Sequence, residues 1–158
     1  MAVCCAGNPI RTRQRKQAMK HNTDRLAVAM LKQKRLRITT PRVAVMTALL
    51  QAERPLSQQQ IAERLGHDAP DKTTIYRTLM SLVKTNLVHK AFVQQRQWHF
   101  EPAHHCTATQ CHPHFTCVRC RRTECLIGIE TPLVKLPDGL TMHRQQIRIE
   151  GLCATCCR

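Results

Sequence analysis

Residues 57–86, SQQQIAERLGHDAPDKTTIYRTLMSLVKTN, decide the reading of the chain, because they spell two short amphipathic helices joined by a tight link. Ser57 and Gln60, three residues apart, form a capping box; Ile61 and Leu65 supply an apolar face and Gly66 the stop. After GHDAP, Asp71 is placed to cap a second helix running to about Asn86, with Ile75, Leu79, Leu82 and Val83 spaced for burial. Two such helices form a helix-turn-helix. The opposite face of the second helix presents Lys72, Thr73, Tyr76, Arg77 and Met80. The amino-terminal end of such a recognition helix enters the major groove of DNA, so Lys72, Thr73, Tyr76 and Arg77 are the expected contacts.

Upstream, the pattern from Asp24 to Arg37 is helical, and another helix begins after Thr40, with Pro41 in its first turn and Val43, Met46, Leu49 and Leu50 on one face. Downstream, LVHKAFV and RQWHFE flank Gln94–Gln95 and read as a hairpin, the wing of a winged helix. An ordinary helical bundle shares this periodicity, and charge decides between them. The chain carries 25 Lys and Arg against 10 Asp and Glu, a net charge of +15 with a pI near 10.0. Eleven of those cations and a single acid, Asp24, lie in residues 1–50. Such a field attracts polyanions. Residues 1–22 are expected to be a flexible basic arm and residues 23–101 a winged-helix DNA-binding domain.

The sequence has no apolar run of the ~20 residues needed to span a bilayer and no short apolar core with a cleavage site, so a cytoplasmic location without a membrane partner is expected. Ten cysteines in a reducing compartment point to metal binding or redox chemistry rather than to structural disulfides. Residues 102–158 form the second expected domain, a small α/β unit. HFTCVRC, RRTECLI and MHRQQIRIEGL read as its strands, and residues 129–136 as a short helix despite Pro132. The fold class is therefore α+β.

Two Cys-x-x-Cys pairs, Cys117/Cys120 and Cys153/Cys156, lie at the ends of expected strands. Four thiolates suit one tetrahedral Zn2+ and leave no open position, so this site is expected to be structural. A redox dithiol or an iron–sulfur cluster is the alternative use of the same spacing. A second constellation mixes donors: His89 on the wing, Glu101 ending the hairpin, then His112, His114 and Glu124. Nitrogen and oxygen donors hold divalent metals less exclusively than thiolates do, which suits a regulatory site that exchanges its ion. Cys106 and Cys111 offer an alternative redox sensor. A zinc hydrolase is disfavoured, since the sequence has no HExxH motif.

The succession TTIYRTLMSLVKTNLVHK, WHFE, HPHFTCVRC and IEGLCATC, in a stretch from about 24 to 157, resembles the ferric uptake regulator family of bacterial metal-responsive repressors. The resemblance implies a homodimer built from amino-terminal winged helices and carboxy-terminal dimerisation domains. It also implies that a hinge ion closes the dimer onto an inverted-repeat operator in double-stranded DNA and so represses metal-uptake genes. It places Tyr76 and Arg77 in the recognition helix, Cys117, Cys120, Cys153 and Cys156 at the structural zinc, and His89, Glu101 and His112 at the hinge. His114 takes a further family position, and Glu124 or Cys125 an acidic one.

Departures from the family pattern bear on the metal. Pro55–Leu56 stands where iron sensors carry a His, and His89 resembles a ligand of the zinc uptake regulators, so the regulatory ion is expected to be Zn2+, with Fe2+ or a peroxide-sensing role as the alternative. Arg121 replaces a Gly, which is expected to alter that turn. Gln145 replaces a His before the final strand, with His143 two residues earlier on the same strand face, which weakens the family's basis for a third metal site and leaves its existence open.

Overall fold

The computed structural model describes residues 9–103, 106 and 110–158, with side chains from His21 onward. Cys4, Cys5, His104 and His105 lie outside the described residues. Helix α1 (Pro9–Gln33) packs on α2 (Thr40–Leu50), and Thr47 Oγ1 donates to Asp24 Oδ1 at 2.7 Å to tie the two together. The backbone of α1 is helical from Pro9, inside the stretch expected to be an irregular arm. It ends four residues before the expected Arg37, with Arg35 in the left-handed region (φ 55°) and the Leu36 N–H reaching back to the Leu31 carbonyl, a bond of Schellman type.

The helix-turn-helix forms as its caps dictate. At the start of α3 (Gln58–Leu65), the Gln60 N–H donates to Ser57 Oγ while Gln60 Oε1 accepts from the Ser57 N–H. At the start of α4 (Lys72–Lys84), Asp71 accepts from the Thr74 N–H at 2.9 Å. The inner face of α4 (Ile75, Leu79, Leu82) joins Val45, Met46, Leu49, Ile61, Val88 and Phe100 in one buried cluster. Lys72, Thr73, Tyr76 and Arg77 are left exposed on the outer face.

Strands β2 (Val88–Gln94) and β3 (Gln97–Pro102) form the wing hairpin, and β1 (Leu56–Ser57), not expected from sequence, pairs with β3 to give the order β1-β3-β2. Gln95 and Arg96 both have positive φ (49° and 60°), the backbone of a two-residue type I′ turn, built here without glycine.

The remaining strands make a second sheet of order β5-β4-β6. In it, β4 (His114–Cys117) runs antiparallel to β5 (Thr123–Cys125) and parallel to β6 (Arg148–Gly151). The expected helix over 129–136 does not form. Pro132 removes an amide donor within the segment, and Pro137 disfavours helical backbone at the residue before it. Instead the Gln145 side chain spans the segment, its Oε1 accepting from the Val134 N–H at 2.8 Å and its Nε2 donating to the Pro132 carbonyl at 3.0 Å. Arg121 adopts φ 62°, so the turn keeps the left-handed conformation that a glycine would take, contrary to the expected change.

The core position Leu79 is fully buried and Tyr76, on the same helix, is 52% exposed. Leu79→Ala is expected to cost about 2–5 kcal/mol of unfolding free energy and Ser57→Ala about 1 kcal/mol. Tyr76→Ala should stay within about 0.5 kcal/mol. Urea unfolding of the three variants checks this ranking.

Candidate metal centres

Cys117 ends β4, Cys120 lies in the turn after it, and Cys153 and Cys156 follow β6. The parallel register of β4 and β6 pairs Cys117 with Gly151 and so brings the two Cys-x-x-Cys turns side by side. Gly151 leaves room there for Phe115, whose ring an added Cβ would approach to 3.1 Å. All four sulfurs lie within 4.8 Å of one another, and Cys120 Sγ is 3.7 Å from Cys153 Sγ. That separation matches the edge of a tetrahedron with about 2.3 Å zinc–sulfur bonds. Backbone N–H groups of Cys120 and Cys153 point at Cys117 Sγ and hold its thiol down at about 6, whereas the Cys153 and Cys120 side chains push Cys156 up to about 12. The Cys117 thiolate thus forms readily, whereas ionising Cys156 beside it is opposed until a cation joins them. The donor set therefore fits a structural Zn2+.

The second centre lies where the two sheets meet. Three side-chain amides and guanidiniums dock them: Gln146 Nε2 donates to the Lys90 carbonyl at 2.9 Å, Arg148 Nη1 to that of Val93 at 3.4 Å, and Gln94 Nε2 to that of Arg121 at 2.9 Å. Beside these contacts, Glu101 at the end of β3 is surrounded by imidazoles. Its Oε1 is 2.7 Å from His89 Nε2, 2.7 Å from His114 Nε2 and 3.2 Å from His112 Nε2. Its Oε2 accepts from Cys125 Sγ at 3.1 Å. His112 Nε2 is buried and, although 3.2 Å from Glu101 Oε1, makes no well-directed hydrogen bond. Such an orphan fits a metal ligand better than a structural hydrogen bond.

Of the residues expected here, the fold brings together His89, Glu101, His112 and His114 and leaves out Glu124. The β4–β5 register explains this. His114 lies opposite Cys125, so both face Glu101; Glu124 lies opposite Phe115 on the other face, exposed and 3.9 Å from Arg122. Cys125 takes the place read for Glu124, and the alternation of Thr123 and Cys125 inward against Glu124 outward was the signal for it. Two further residues lie at the centre, Cys106 and Cys111, both beside His89. The donors fall into two groups: Glu101, His112, His114 and Cys125, and then His89, Cys106 and Cys111. Gln145 carries no metal-site role here, since its amide is engaged with Pro132 and Val134.

Burial alone would raise the Glu101 carboxyl, but the imidazoles of His112, His114 and His89 outweigh it and hold the group well below the usual carboxylate range. Burial raises the Cys125 thiol, and the neighbouring Glu101 charge raises it further. The centre is thus a buried anion ringed by neutral or cationic donors, with a thiol that a cation would be needed to ionise.

A winged helix followed by a small strand-built unit is the architecture of known bacterial metal regulators. A zinc uptake regulator solved with zinc and DNA superposes with a TM-score of 0.59 at 23% identity, over 87% of this chain and 95% of that one. Holo XcZur gives 0.57 at 20%, over 87% and 98%. The ferric uptake regulator from Francisella tularensis with iron gives 0.57 at 17%, over 78% and 96%. No curated protein sequence matches the chain. Residues 33–138, more than half of the chain, match the sequence model of the ferric uptake regulator family. The chain belongs to that family, whose members are metal-responsive transcription regulators and not enzymes.

Because the folded-state pKa of Glu101 is depressed, its ionised form stabilises the fold above the usual carboxylate range, and that contribution is lost as pH falls toward the folded value. Metal-free wild type should therefore lose stability more steeply than Glu101→Gln between about pH 5 and pH 3. Urea titrations of both proteins at several pH values measure the difference in slope.

Proposed function

We propose that this chain is a zinc-responsive, DNA-binding repressor of metal-uptake genes. It works as a homodimer with a DNA-binding domain of residues 23–101 and a metal-sensing and dimerisation domain of residues 102–158, behind a basic arm of residues 1–22. The observation that carries this reading is the junction itself: His89 and Glu101 come from the wing, His114 and Cys125 from the second sheet and His112 from the loop that leads into it, and all of them converge on one buried spot. The regulatory set proposed is Glu101, His112, His114 and Cys125, with Cys125 in place of Glu124, while His89, 2.7 Å from Glu101 Oε1, closes the junction from the wing side. A thiol among the donors, together with Pro55–Leu56 where iron sensors carry a His, favours Zn2+ over Fe2+.

When bound, the ion supplies a multivalent link in place of the hydrogen bonds that Glu101 accepts. The residues of the chain set what that link does. His89 and Glu101 belong to the hairpin that packs on α4, so fixing them relative to β4 and β5 fixes the direction of α4. Lys72, Thr73, Tyr76 and Arg77 then face the major groove from a defined position. In a twofold dimer the two α4 helices take one spacing, which an inverted repeat would match. Ile127, Val134, Leu140 and Leu152 are exposed on the carboxy-terminal unit, side chains that a second copy would cover.

The test uses duplexes selected for affinity from random DNA, with protein before and after mild chelation. One tightly held zinc per chain is expected to survive while a second ion is lost together with roughly 100-fold in DNA affinity, equivalent to about 2.7 kcal/mol of coupling. Binding that ignores the second ion would leave a constitutive DNA-binding protein with a structural zinc. On the loaded protein, Arg77→Ala is expected to weaken binding to the selected duplex by about 1–3 kcal/mol if it reads a base. A uniform loss on all sequences, with a shallower salt dependence, would make Arg77 a phosphate contact instead.

A further inference from the structure

Glu101, His112, His114 and Cys125 supply four donors by themselves, enough for a closed tetrahedral site. His89 then stands with Cys106 and Cys111, a second trio whose ligating atoms also lie within 4.8 Å of one another. Cys111 Sγ is 3.1 Å and Cys106 Sγ 3.9 Å from the same His89 nitrogen, Nε2. Both His89 and Cys111 are only 3% exposed. Cys106 and Cys111 are paired as a disulfide, their Cα atoms 4.4 Å apart, so the backbone holds the two sulfurs together without help from an ion.

We propose that Cys106, Cys111 and His89 form a second hinge site, distinct from the four-donor site, for a thiophilic divalent ion, and that this site exists only while the Cys106–Cys111 disulfide is open. Two thiolates and an imidazole are soft to borderline donors and suit Zn2+. The open fourth direction faces Glu101, whose Oε1 is 2.7 Å from His89 Nε2 and 3.8 Å from Cys111 Sγ. Glu101 thus lies between the two groups of donors and is shared by both.

The pair also makes the site redox-gated. A low-molecular-weight disulfide takes two electrons from the two thiolates; the Cys106–Cys111 bond forms, the small disulfide leaves as two thiolates, and the ion is released. A disulfide sulfur is no thiolate ligand, so metal and disulfide exclude each other.

The test counts zinc and reactive thiols on the full-length chain, reduced with a phosphine, loaded with Zn2+ and freed of excess by gel filtration. About three zinc ions per chain are expected, falling to about two in Cys106→Ser/Cys111→Ser. Oxidised glutathione should remove about one zinc from wild type together with two alkylatable thiols, and none from the double variant. The same zinc count in wild type and double variant overturns the proposal, as does zinc loss on oxidation that persists in the variant. Should the double variant fold poorly, Cys106→Ser alone, at a half-buried position, is loaded with Co2+ instead. A weaker sulfur-to-cobalt charge-transfer band supports the site and an unchanged band overturns it. The result is separable from the repressor reading, because a defect in the four-donor site lowers the count in a way that is indifferent to Cys106 and Cys111.

Discussion

One buried carboxylate, Glu101, joins the two halves of this chain. It ends the last strand of the wing, and three imidazoles and a thiol from either side of the junction point at its two oxygens. Isolated carboxylates do not survive in a dry interior unless they are paired. The depressed pKa of Glu101 reports that the pairing outweighs its burial. The same arrangement gathers imidazole, carboxylate and thiol donors that a divalent ion would organise.

The rest of the fold serves that point. The capping residues Ser57 and Asp71 set where α3 and α4 begin, and the buried stripe of α4 seats it against the wing hairpin. The wing turn at Gln95–Arg96 returns the chain so that Glu101 comes back beside His89, its register partner across β2 and β3. On the other side, the four cysteines fasten β4 to the end of β6, giving His114 and Cys125 a rigid mount. In the proposed reading, an ion at the four cysteines would hold the sheet together and an ion at its edge would report on the junction.

Much of this was legible in the sequence because it rests on local rules. Capping boxes, helical periodicity and Cys-x-x-Cys spacing act over a few residues, and they led to α2, α3, α4, the wing and the four-thiolate cluster. What escaped depended on distant pairing. The choice of Cys125 over Glu124 is a matter of strand register against His114, and a one-residue slip sends a side chain to the opposite face. The approach of Cys106 and Cys111 to His89 joins residues 17 and 22 positions apart, which no spacing encodes. The missing helix at 129–136 reflects Pro132 and Pro137, whose veto was visible, together with the Gln145 strap, which was not. Arg121 shows the converse case, a residue type that suggested a changed turn while the backbone kept its left-handed form.

The central claim is that ion binding at the Glu101 junction and DNA binding by α4 are coupled, and coupling is reciprocal. Zinc affinity at the junction, measured by competition with a chelating indicator in the presence and absence of a selected duplex, tests this most directly. The account predicts that DNA tightens zinc binding by the same factor by which zinc tightens DNA binding, about 100-fold. Equal zinc affinities with and without DNA would contradict it, and would mean that the ion and the recognition helix act independently.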